Sequence, residues 1–361
     1  MKTRKKVLVA LSGGVDSAVS AALLKKQGFD VLGVFFRFFD SALREGRGRT
    51  DESLNKAKLV AEKLNISLQI VDARKEFKKK IVDYFIDSYK KGVTPNPCVV
   101  CNKEMKFRLL FDLMKKYKPD FVATGHYARI KREFQNTKLL EAKDKTKNQS
   151  YFLYKLNQQE LARTIFPLGE LKKTEVKKLA KKFKLPVFGE KESQDICFLV
   201  DTNINQFLRK NIKSRPGNIV NEKGKILAHH HGLSFYTIGQ RKGIEIGSAG
   251  PYFVIGKNSR KNDLVVSNDP RRLLVKKFMI NQVNWVNKRN WGDGGDAGEK
   301  YTLLVQIQIR YHAPKVSAII KSSRLGKWIV ETKKPLRAVT PGQSAVFYKN
   351  SEVLGGGTIT S

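Results

Sequence analysis

The sequence predicts an α/β region at the N-terminal side, a small α+β domain in the middle and a C-terminal β-barrel. Over the first two hundred residues, short apolar runs alternate with helical patterns, which is typical of a parallel sheet covered by helices. From about Asp201 the chain becomes rich in glycine, proline and short strands, and beyond residue 273 the strands follow one another without helices. Because 361 residues exceed one compact core, we expect domains at 1–200, 201–272 and 273–361.

The first strand leads through a glycine turn directly into a helix. Residues 7–10 favour a buried strand, residues 12–14 read Ser-Gly-Gly, and apolar residues recur at helical spacing from Val15. A helix N-terminus offers unpaired N–H groups and partial positive charge, and the glycines let a ligand approach the backbone. The turn is therefore predicted to bind an anion, most simply the phosphates of a nucleotide. Ser17 adds a hydroxyl donor, and Asp16 offers a carboxylate for a Mg²⁺ ion.

The remaining elements follow from the same patterns. Helices are predicted at 18–27, 51–64, 77–89, 174–184 and 204–211, and strands at 30–36, 68–71, 119–124, 300–310, 315–320, 345–349 and 354–359. A hairpin is predicted over 129–142 with its turn near Gln135. In parallel sheets ligands bind beyond the carboxyl ends of the strands, where the Ser-Gly-Gly turn falls.

The composition is strongly basic. Lysine and arginine number 70 against 33 aspartate and glutamate, a formal net charge of +37. This excess favours a polyanionic partner, and nucleic acid before a membrane surface, because no segment combines amphipathic character with aromatic anchors. A merely solvated basic surface is the plainer alternative. No apolar run is long enough to span a bilayer, and the basic residues 1–6 lead into the first strand, so we expect a cytoplasmic protein.

Only three cysteines occur, at Cys98, Cys101 and Cys197. They are too few for a disulfide scaffold. The Cys-x-x-Cys pair favours a redox, sulfur-handling or metal site, and three buried structural thiols are the alternative.

Cys101 is a candidate nucleophile by its position. Prolines 95 and 97 predict an extended entry, and the following helix is predicted to begin at Cys101 or Asn102. A helix N-terminus and the nearby Lys103 and Lys106 would both stabilise a thiolate and lower the pKa of Cys101.

Histidines and the lysine-rich helix carry less information. His126 follows a strand, but a lone histidine is more often a structural residue than a catalyst. Three adjacent histidines at 229–231 do not share one face, so no dedicated metal site is predicted there. The lysines of the helix 174–184 fit a solvated face and a phosphate-contacting surface equally well.

Taken together, the motifs resemble those of a known family. They are Ser-Gly-Gly-Val-Asp-Ser at 12–17, Asn-Pro-x-x-x-Cys-Asn-Lys-Glu-x-Lys-Phe at 96–107, Gly-His-Tyr-Ala-Arg at 125–129, Gln-Ser-Tyr-Phe-Leu at 149–153, Ser-Gln-Asp-Ile-Cys-Phe at 193–198, Tyr-Thr-Ile-Gly-Gln-Arg-Lys-Gly at 236–243 and Pro-Gly-Gln at 341–343. Over nearly the whole chain they resemble the tRNA-specific 2-thiouridylases, tRNA-uridine 2-sulfurtransferases of the adenylating pyrophosphatase-loop superfamily, whose first domain is a Rossmann-like sheet carrying the ATP loop.

The resemblance implies a reaction. ATP, with Mg²⁺, would adenylate the C2 oxygen of the wobble uridine in a tRNA anticodon, and pyrophosphate would leave. Cys197 would carry a persulfide delivered by a relay partner, and its terminal sulfur, or hydrosulfide released by Cys101, would replace the activated oxygen. A Cys101–Cys197 disulfide would end the turnover and require reduction.

The resemblance also implies contacts, residue by residue. Those to ATP would come from Ala10, Leu11, Ser12, Gly13, Gly14, Val15, Asp16, Ser17, Phe36 and Gly125. Those to the target base would come from Asn96, Pro97 and Cys98. Those to tRNA would come from His126, Lys147, Asn148, Gln149, Arg310, Tyr311 and Gln343. The implied partner is the anticodon arm of the tRNAs for Glu, Gln and Lys, with no DNA and no membrane.

Two positions depart from the family pattern. Many members carry aspartate, assigned acid–base work, where this chain has Cys98, and Asn148 replaces an acidic residue. A thiol is a poorer acid–base group but a good metal ligand, so Cys98, Cys101 and Cys197 as ligands of a [4Fe–4S] cluster form a second hypothesis behind the persulfide route.

Two other functions remain open at this stage. An amide ligase with the same loop would need no separated cysteine pair, so serine at Cys101 and Cys197 would leave it active. A basic RNA-binding protein with a relic loop would form no AMP from ATP in the presence of tRNA.

Overall fold

The structure is a computed structural model that describes residues 4–39, 49–134, 136–189, 196–199, 202–244, 246–247, 250–287, 302–323 and 327–360. Those residues form three sheets with helices around the first. The predicted order of structural regions, an α/β region followed by a small domain and a C-terminal barrel, is confirmed. No helix in these described ranges is long and apolar enough to cross a membrane.

The first sheet is parallel throughout and has the order β3-β2-β1-β4-β7. Its strands are β1 (Lys6–Ala10), β2 (Asp30–Arg37), β3 (Ser67–Asp72), β4 (Phe121–Ala123) and, later in the chain, β7 (Thr164–Ile165). The order reverses between β1 and β4, so a crevice opens there at the carboxyl ends of the strands. The Ser-Gly-Gly turn follows β1 and Gly125 follows β4, which places both at this crevice.

Helices cover both faces of the sheet. The helices of the first region are α1 (Val15–Lys26), α2 (Arg49–Lys63), α3 (Arg74–Phe77), α4 (Asp83–Lys90), α5 (Pro97–Cys101), α6 (Arg108–Tyr117), α7 (Gln158–Ala162) and α8 (Lys173–Lys182), with π-helical segments at Lys78–Val82 and Asn102–Phe107. A further helix, α9 (Ile204–Asn211), packs in the middle region. Alternate residues of β1 serve opposite faces, because Val7 and Val9 pack in the core formed with α1, α2 and α8. Leu8 packs instead against Leu110 and Met114 of α6.

The middle of the chain forms a four-stranded sheet in the order β10-β11-β8-β9. Its strands are β8 (Gly217–Val220), β9 (Ile226–His230), β10 (Phe253–Asn258) and β11 (Asp263–Ser267). His230 is buried, and its ring nitrogens contact the Asn262 carbonyl and the Gly232 N–H, so this histidine has a structural role.

The C-terminal strands close into a six-stranded barrel, because β12 pairs with both β15 and β17. The strands are β12 (Leu274–Trp285), β13 (Thr302–Gln308), β14 (Val316–Ser322), β15 (Trp328–Arg337), β16 (Ser344–Lys349) and β17 (Glu352–Ile359). Closure leaves no open edge between these six strands and encloses a core that includes Phe278, Ile307 and Phe347.

The predicted hairpin joins the C-terminal sheet. It consists of β5 (Ala128–Glu133) and β6 (Asn136–Glu141), and Gln135, at its predicted turn, lies outside the described residues. β6 pairs antiparallel with β17 through Leu140 opposite Glu352, which ties the first region to the barrel.

Candidate active site

The phosphate loop presents an open helix N-terminus. Gly14 is the N-cap of α1 in extended conformation, and no side chain of the described residues caps the helix, so its first N–H groups are open at the crevice. Gly13 has a φ of +80°, and a Cβ there would collide with the Ser53 carbonyl oxygen of α2. Only glycine fits both the backbone conformation and the space. The local structure therefore suits an anion, as the sequence predicts.

Serine side chains brace the loop from within. The Ser17 hydroxyl donates to the Gly14 carbonyl at 2.9 Å and accepts from the Ser12 N–H at 3.1 Å. It also lies 3.2 Å from the Ser12 hydroxyl. Ser17 is thus occupied in holding the loop, whereas Ser12 is exposed at its rim.

Asp16 forms an ion pair that the sequence did not indicate. The Lys173 ammonium donates to its two carboxylate oxygens at 2.7 and 2.8 Å, and the Tyr127 hydroxyl donates to one of them at 2.8 Å. Lys173 is 8% exposed and lies at the first turn of α8. Lys173 therefore stands beside the phosphate loop as a cation that sequence reasoning missed, since 157 positions separate it from Asp16.

Gly125 joins the second strand of the crevice to the loop. A Cβ on Gly125 would lie 2.9 Å from the backbone carbonyl carbon of Asp16 and 2.9 Å from the Ser17 nitrogen. The next residue, His126, is held by a 2.8 Å contact between its Nδ1 and the Thr124 hydroxyl. Phe36, also predicted to contact ATP, is half-buried at the end of β2 and stacks on Phe38.

The helix that carries the cysteines begins earlier than predicted. Asn96 is its N-cap, with its side-chain oxygen accepting from the Val99 N–H at 3.4 Å, and Pro97 is the first helical residue. The prediction of a start at Cys101 or Asn102 is wrong because proline at the first helical position is compatible with a helix. Cys98 therefore lies in the first turn, and Cys101 lies one turn further on.

Burial decides the acidity of the thiols. Cys101 is 6% exposed, and burial raises its pKa to about 12, with Lys106 acting in the opposite direction. Burial likewise raises the pKa of Cys98. The predicted lowering of the Cys101 pKa is therefore wrong in this conformation, because loss of solvent outweighs the nearby cation and the helix start lies a turn away.

Lys106, and not Lys103, faces the thiols. Lys103 is held by Glu160, with both oxygens 2.7 Å from its ammonium. Lys106 is half-buried, and its charge lowers the pKa of Cys98, Cys101 and Cys197 as well as that of His126. In the ranges that the structure describes, no carboxylate pairs with Lys106.

A π-helical turn explains why Lys106 lies on this side. Cys101 is directly followed by the π-helix Asn102–Phe107. The i→i+5 hydrogen bonds of such a turn stack residues five apart, whereas an α-helix stacks residues four apart. The turn thereby brings Lys106 under Cys101, in a device that is frequent at functional sites.

Cys197 is brought to the other two cysteines from a distant part of the sequence. Its neighbour Phe198 packs on Phe77 and Phe85 in the same core as Cys101. A charge on Cys197 would raise the pKa of Cys101, which places the two groups within electrostatic reach. Crowding by the surrounding protein also raises the pKa of Cys197, although the residue stays exposed. All three cysteines are free thiols, so the implied disulfide is not formed here. Residues 193–195 of the same motif lie outside the described residues.

Several of the residues assigned to the target base and to tRNA have structural partners. Asn96 and Pro97 are buried, and Cys98 is half-buried. Asn148 accepts from the Ala142 and Ser150 N–H groups and donates to Glu141, so its side chain is committed to its own loop. Gln149 accepts from the Tyr127 N–H at 3.0 Å, and Lys147, in the same loop, is half-buried.

A cavity of about 430 Å³, here called the first cavity, opens beside the cysteine helix. It is lined by Thr94, Thr237, Ile238, Gly239, Gln240, Arg310, Thr340 and Gln343, which come from all three regions of the chain. Gln343 donates to the Thr94 and Pro95 carbonyls at 3.1 and 2.9 Å, which ties the barrel to the segment before Pro97. The Arg310 guanidinium donates to the Ala338 carbonyl and the Thr340 hydroxyl. The Tyr311 ring packs on the Phe152 ring, with the ring centroids 4.6 Å apart. The space suits part of a nucleotide rather than a metal.

The side chains do not assemble a metal centre. Across the described ranges, no group of three or more histidine, cysteine or acidic residues is arranged to hold a metal ion. The Asp16 carboxylate is occupied by Lys173, and the three cysteines are not arranged as such a group. The residues present therefore do not fit a protein-bound Mg²⁺ at Asp16 or a [4Fe–4S] cluster in this conformation.

Comparisons with known proteins agree with this arrangement. Residues 5–201 match a family model described as "tRNA methyl transferase HUP domain", residues 205–268 one described as "tRNA methyl transferase PRC-barrel domain" and residues 275–359 one described as "Aminomethyltransferase beta-barrel domain".

Relatives match over almost the full length. A protein of Bacillus licheniformis named tRNA-specific 2-thiouridylase MnmA is 38% identical over 98% of this chain and 94% of its own. A protein of the same name from Chloroflexus aggregans is 40% identical over 98% of both chains. Among solved structures, a 4-thiouridine synthetase in complex with RNA and ATP has a TM-score of 0.37 and 20% identity, covering 54% of this chain and 44% of that one, which is too distant to support a functional inference. On the family matches and the full-length identities, the chain belongs to the tRNA-specific 2-thiouridylase family.

Proposed function

We propose that this enzyme uses ATP to convert the wobble uridine, U34, of tRNA into 2-thiouridine. One observation supports the proposal: Lys106 acts electrostatically on all three cysteines and on His126, which directly follows Gly125 beside the phosphate loop. Gly125 packs on the loop at Asp16 and Ser17, and His126 follows it directly. The charge of Lys106 lowers the pKa of His126 and also the pKa of all three cysteines. Full-length relatives named 2-thiouridylases support the same substrate class.

The first step activates the base. The C2 oxygen of the uridine attacks the α-phosphorus of ATP, an O–P bond forms, and the bond to pyrophosphate breaks. The open N–H groups of α1 suit the negative charge of the departing pyrophosphate, and the Lys173–Asp16 ion pair lies beside them. Magnesium would enter with the ATP phosphates, since the Asp16 carboxylate is already paired.

The second step transfers sulfur. The terminal sulfur of a persulfide on Cys197 attacks C2, and the C–O bond to AMP breaks. Cys101 then attacks the Cys197 sulfur, so that the C2 thiocarbonyl is released and a Cys101–Cys197 disulfide forms. A dithiol reductant must restore both thiols before the next turnover. The exposed position of Cys197 suits a residue that a sulfur donor must reach, and the buried position of Cys101 suits one that acts only within the site.

The protonated thiols set a condition on this chemistry. With its pKa near 12, Cys101 is almost fully protonated at neutral pH. Lys106 is the nearby charge that favours the thiolate, and His126 is neutral because burial and Lys106 keep its pKa well below its usual value. The same burial and charge disfavour the imidazolium, so His126 is a poor proton acceptor and suits a neutral hydrogen-bonding role beside the site.

The partners belong to the same proposal. The net charge of +37 suits a polyanion, and the first cavity, which contains Arg310 and Gln343, adjoins the cysteine helix where a flipped-out base would enter. The choice of the tRNAs for Glu, Gln and Lys, the sulfur relay partner and the cytoplasmic location remain predictions.

Mass analysis of tRNA nucleosides tests the proposal. Unmodified tRNA is incubated with the protein, ATP, Mg²⁺ and a persulfide source, and we expect 2-thiouridine and one AMP for each base modified. Cys101→Ser and Cys197→Ser are each expected to abolish 2-thiouridine. An amide ligase would leave both variants active with ammonia, and a relic loop would give no AMP in any sample.

A further inference from the structure

A second cavity, of about 400 Å³, lies where the three regions of the chain meet. Its walls come from the segment after α4, from β10 and from the barrel segment at 338–341. The complete lining is Lys91, Gly92, Val93, Ile238, Ile255, Gly256, Lys257, Ser259, Arg272, Leu273, Val275, Ala338, Val339, Thr340 and Pro341. The proposed reaction gives this cavity no role.

The lining carries charge of one sign. Lys91, Lys257 and Arg272 contribute cations, and no aspartate or glutamate is among the lining residues that the structure describes. Arg272 contacts Glu222 at 2.5 Å outside the lining, which leaves Lys257 as the inner cation of the pocket. A cavity lined this way attracts an anion.

Lys257 is under-used by the protein itself. Its ammonium donates to the Gly92 carbonyl at 3.1 Å, and no carboxylate pairs with it in the described part of the chain. An ammonium has three donors, so two are left for a ligand. Burial lowers the pKa of Lys257 to about 8, a desolvation that an anion in the cavity would offset. Keeping an unpaired lysine in such a place costs stability, which favours a function.

The second cavity continues the first. The two share Ile238 and Thr340 as common lining residues. The Thr94 N–H donates to the Pro341 carbonyl at 3.0 Å between them, so the wall that separates them is also part of the segment leading to Pro97. A strand entering the site with one nucleotide at the first cavity would carry its neighbouring backbone past the second.

We propose that the second cavity binds a backbone phosphate of the RNA, through Lys257, beside the nucleotide held at the first cavity. The inference rests on the proposed function, because it takes RNA to be the substrate. Free phosphate has the same chemistry but would not require continuity with the first cavity. A lysine with a purely structural role, capping the end of α4 through the Gly92 carbonyl, would need neither a bound phosphate nor continuity with the first cavity.

The test compares Lys257→Met with Lys261→Met, an exposed lysine in the turn of the same β10–β11 hairpin. Both variants lose one charge, but only the first changes the cavity. We expect Lys257→Met to weaken tRNA binding about tenfold. We also expect it to flatten the slope of log Kd against log salt by about 0.7 to 1, the share of one phosphate contact. Lys261→Met and Lys257→Arg should keep slopes close to that of the unmodified protein.

Other outcomes overturn the inference. An equal slope of log Kd against log salt for Lys257→Met and Lys261→Met would refute the phosphate contact. A lowered melting temperature with an unchanged slope would assign Lys257 a structural role. Competition by inorganic phosphate for Lys257, with tRNA binding unaffected by the substitution, would assign the cavity to free phosphate. These experiments measure only tRNA binding, so failure of this inference would not refute the proposed thiolation activity. A protein that binds no tRNA at all would refute the proposed function first.

Discussion

The phosphate loop and the cysteine site are built in opposite ways. The loop motif comes from six consecutive residues, 12–17, and its helix N-terminus is open to an anion. The cysteine site joins segments 96 positions apart, and burial raises the pKa of Cys98 and Cys101. On the proposed function, we expect the nucleotide to bind without rearrangement of the loop, and the sulfur chemistry to require a change in the charge around the thiols.

Removing a thiol should separate the two regions most sharply. Cys101→Ser is expected to lower the rate of 2-thiouridine formation by about 10⁴-fold or more, because a hydroxyl cannot attack the Cys197 sulfur under these conditions. ATP affinity should stay within about twofold, since Cys101 is not part of the loop. Equilibrium ATP binding and single-turnover thiolation measure the two effects. A loss of ATP affinity equal to the loss of thiolation would contradict the separation.

Disturbing the loop should have the reverse effect. Gly125→Ala places a Cβ 2.9 Å from the backbone of Asp16 and Ser17, which displaces the start of α1. We expect kcat/KM for ATP to fall about 10²-fold, while alkylation of Cys197 proceeds at the normal rate.

Gly13→Ala and Gly28→Ala form a matched pair for the same point. Both glycines have positive φ, +80° and +88°, but a Cβ on Gly28 has no atom within 4 Å, whereas one on Gly13 meets the Ser53 carbonyl. Only Gly13→Ala should impair ATP binding. Equal impairment in both variants would mean that backbone conformation, and not the close packing of the loop, is responsible.

Lys106→Met should weaken the thiol site without touching the loop. Lys106 lowers the pKa of all three cysteines, so its loss raises those pKa values and reduces the thiolate fraction. One unit of pKa is a tenfold change, and we expect alkylation of Cys101 at pH 8 to slow by about that factor. Lys106→Arg should restore most of the rate. Lys103→Met is the control, because Lys103 is paired with Glu160, and an equal slowing there would exclude a specific role for Lys106.

The smallest effect concerns stability against pH. The pKa of Cys101 in the folded protein lies above the ordinary value of a thiol. The contribution of this shift to the free energy of unfolding is therefore complete below about pH 8.5 and is lost as the pH rises towards 12. Between pH 8.5 and 9.5, the free energy of unfolding of Cys101→Ser should fall by about 1 kcal/mol less than that of the unmodified protein. Urea unfolding at each pH gives the comparison.

What the sequence predicts well is what depends on neighbours in the chain. The strand, turn and helix at 6–26 are local, and the barrel follows from strands that pair in near succession. The helix start at Pro97 was missed because Pro-x-Pro also fits an extended entry, and only the Asn96 cap decides between them.

What the sequence could not predict depends on contacts between distant residues. Lys173 pairs with Asp16, which lies 157 positions earlier in the sequence. Strand β6 pairs with β17, with Leu140 opposite Glu352. The π-helical turn that brings Lys106 to Cys101 has no simple sequence signature. Nor has the burial that reverses the expected pKa of Cys101.

The most direct test follows one oxygen atom. A tRNA whose wobble uridine carries ¹⁸O at C2 is thiolated with ATP and a persulfide source, and the AMP is analysed by mass spectrometry. The account predicts one ¹⁸O in the AMP phosphate for every 2-thiouridine formed, because the base oxygen leaves bonded to the α-phosphorus. Unlabelled AMP, with ¹⁸O released as water or found in the pyrophosphate, would contradict it.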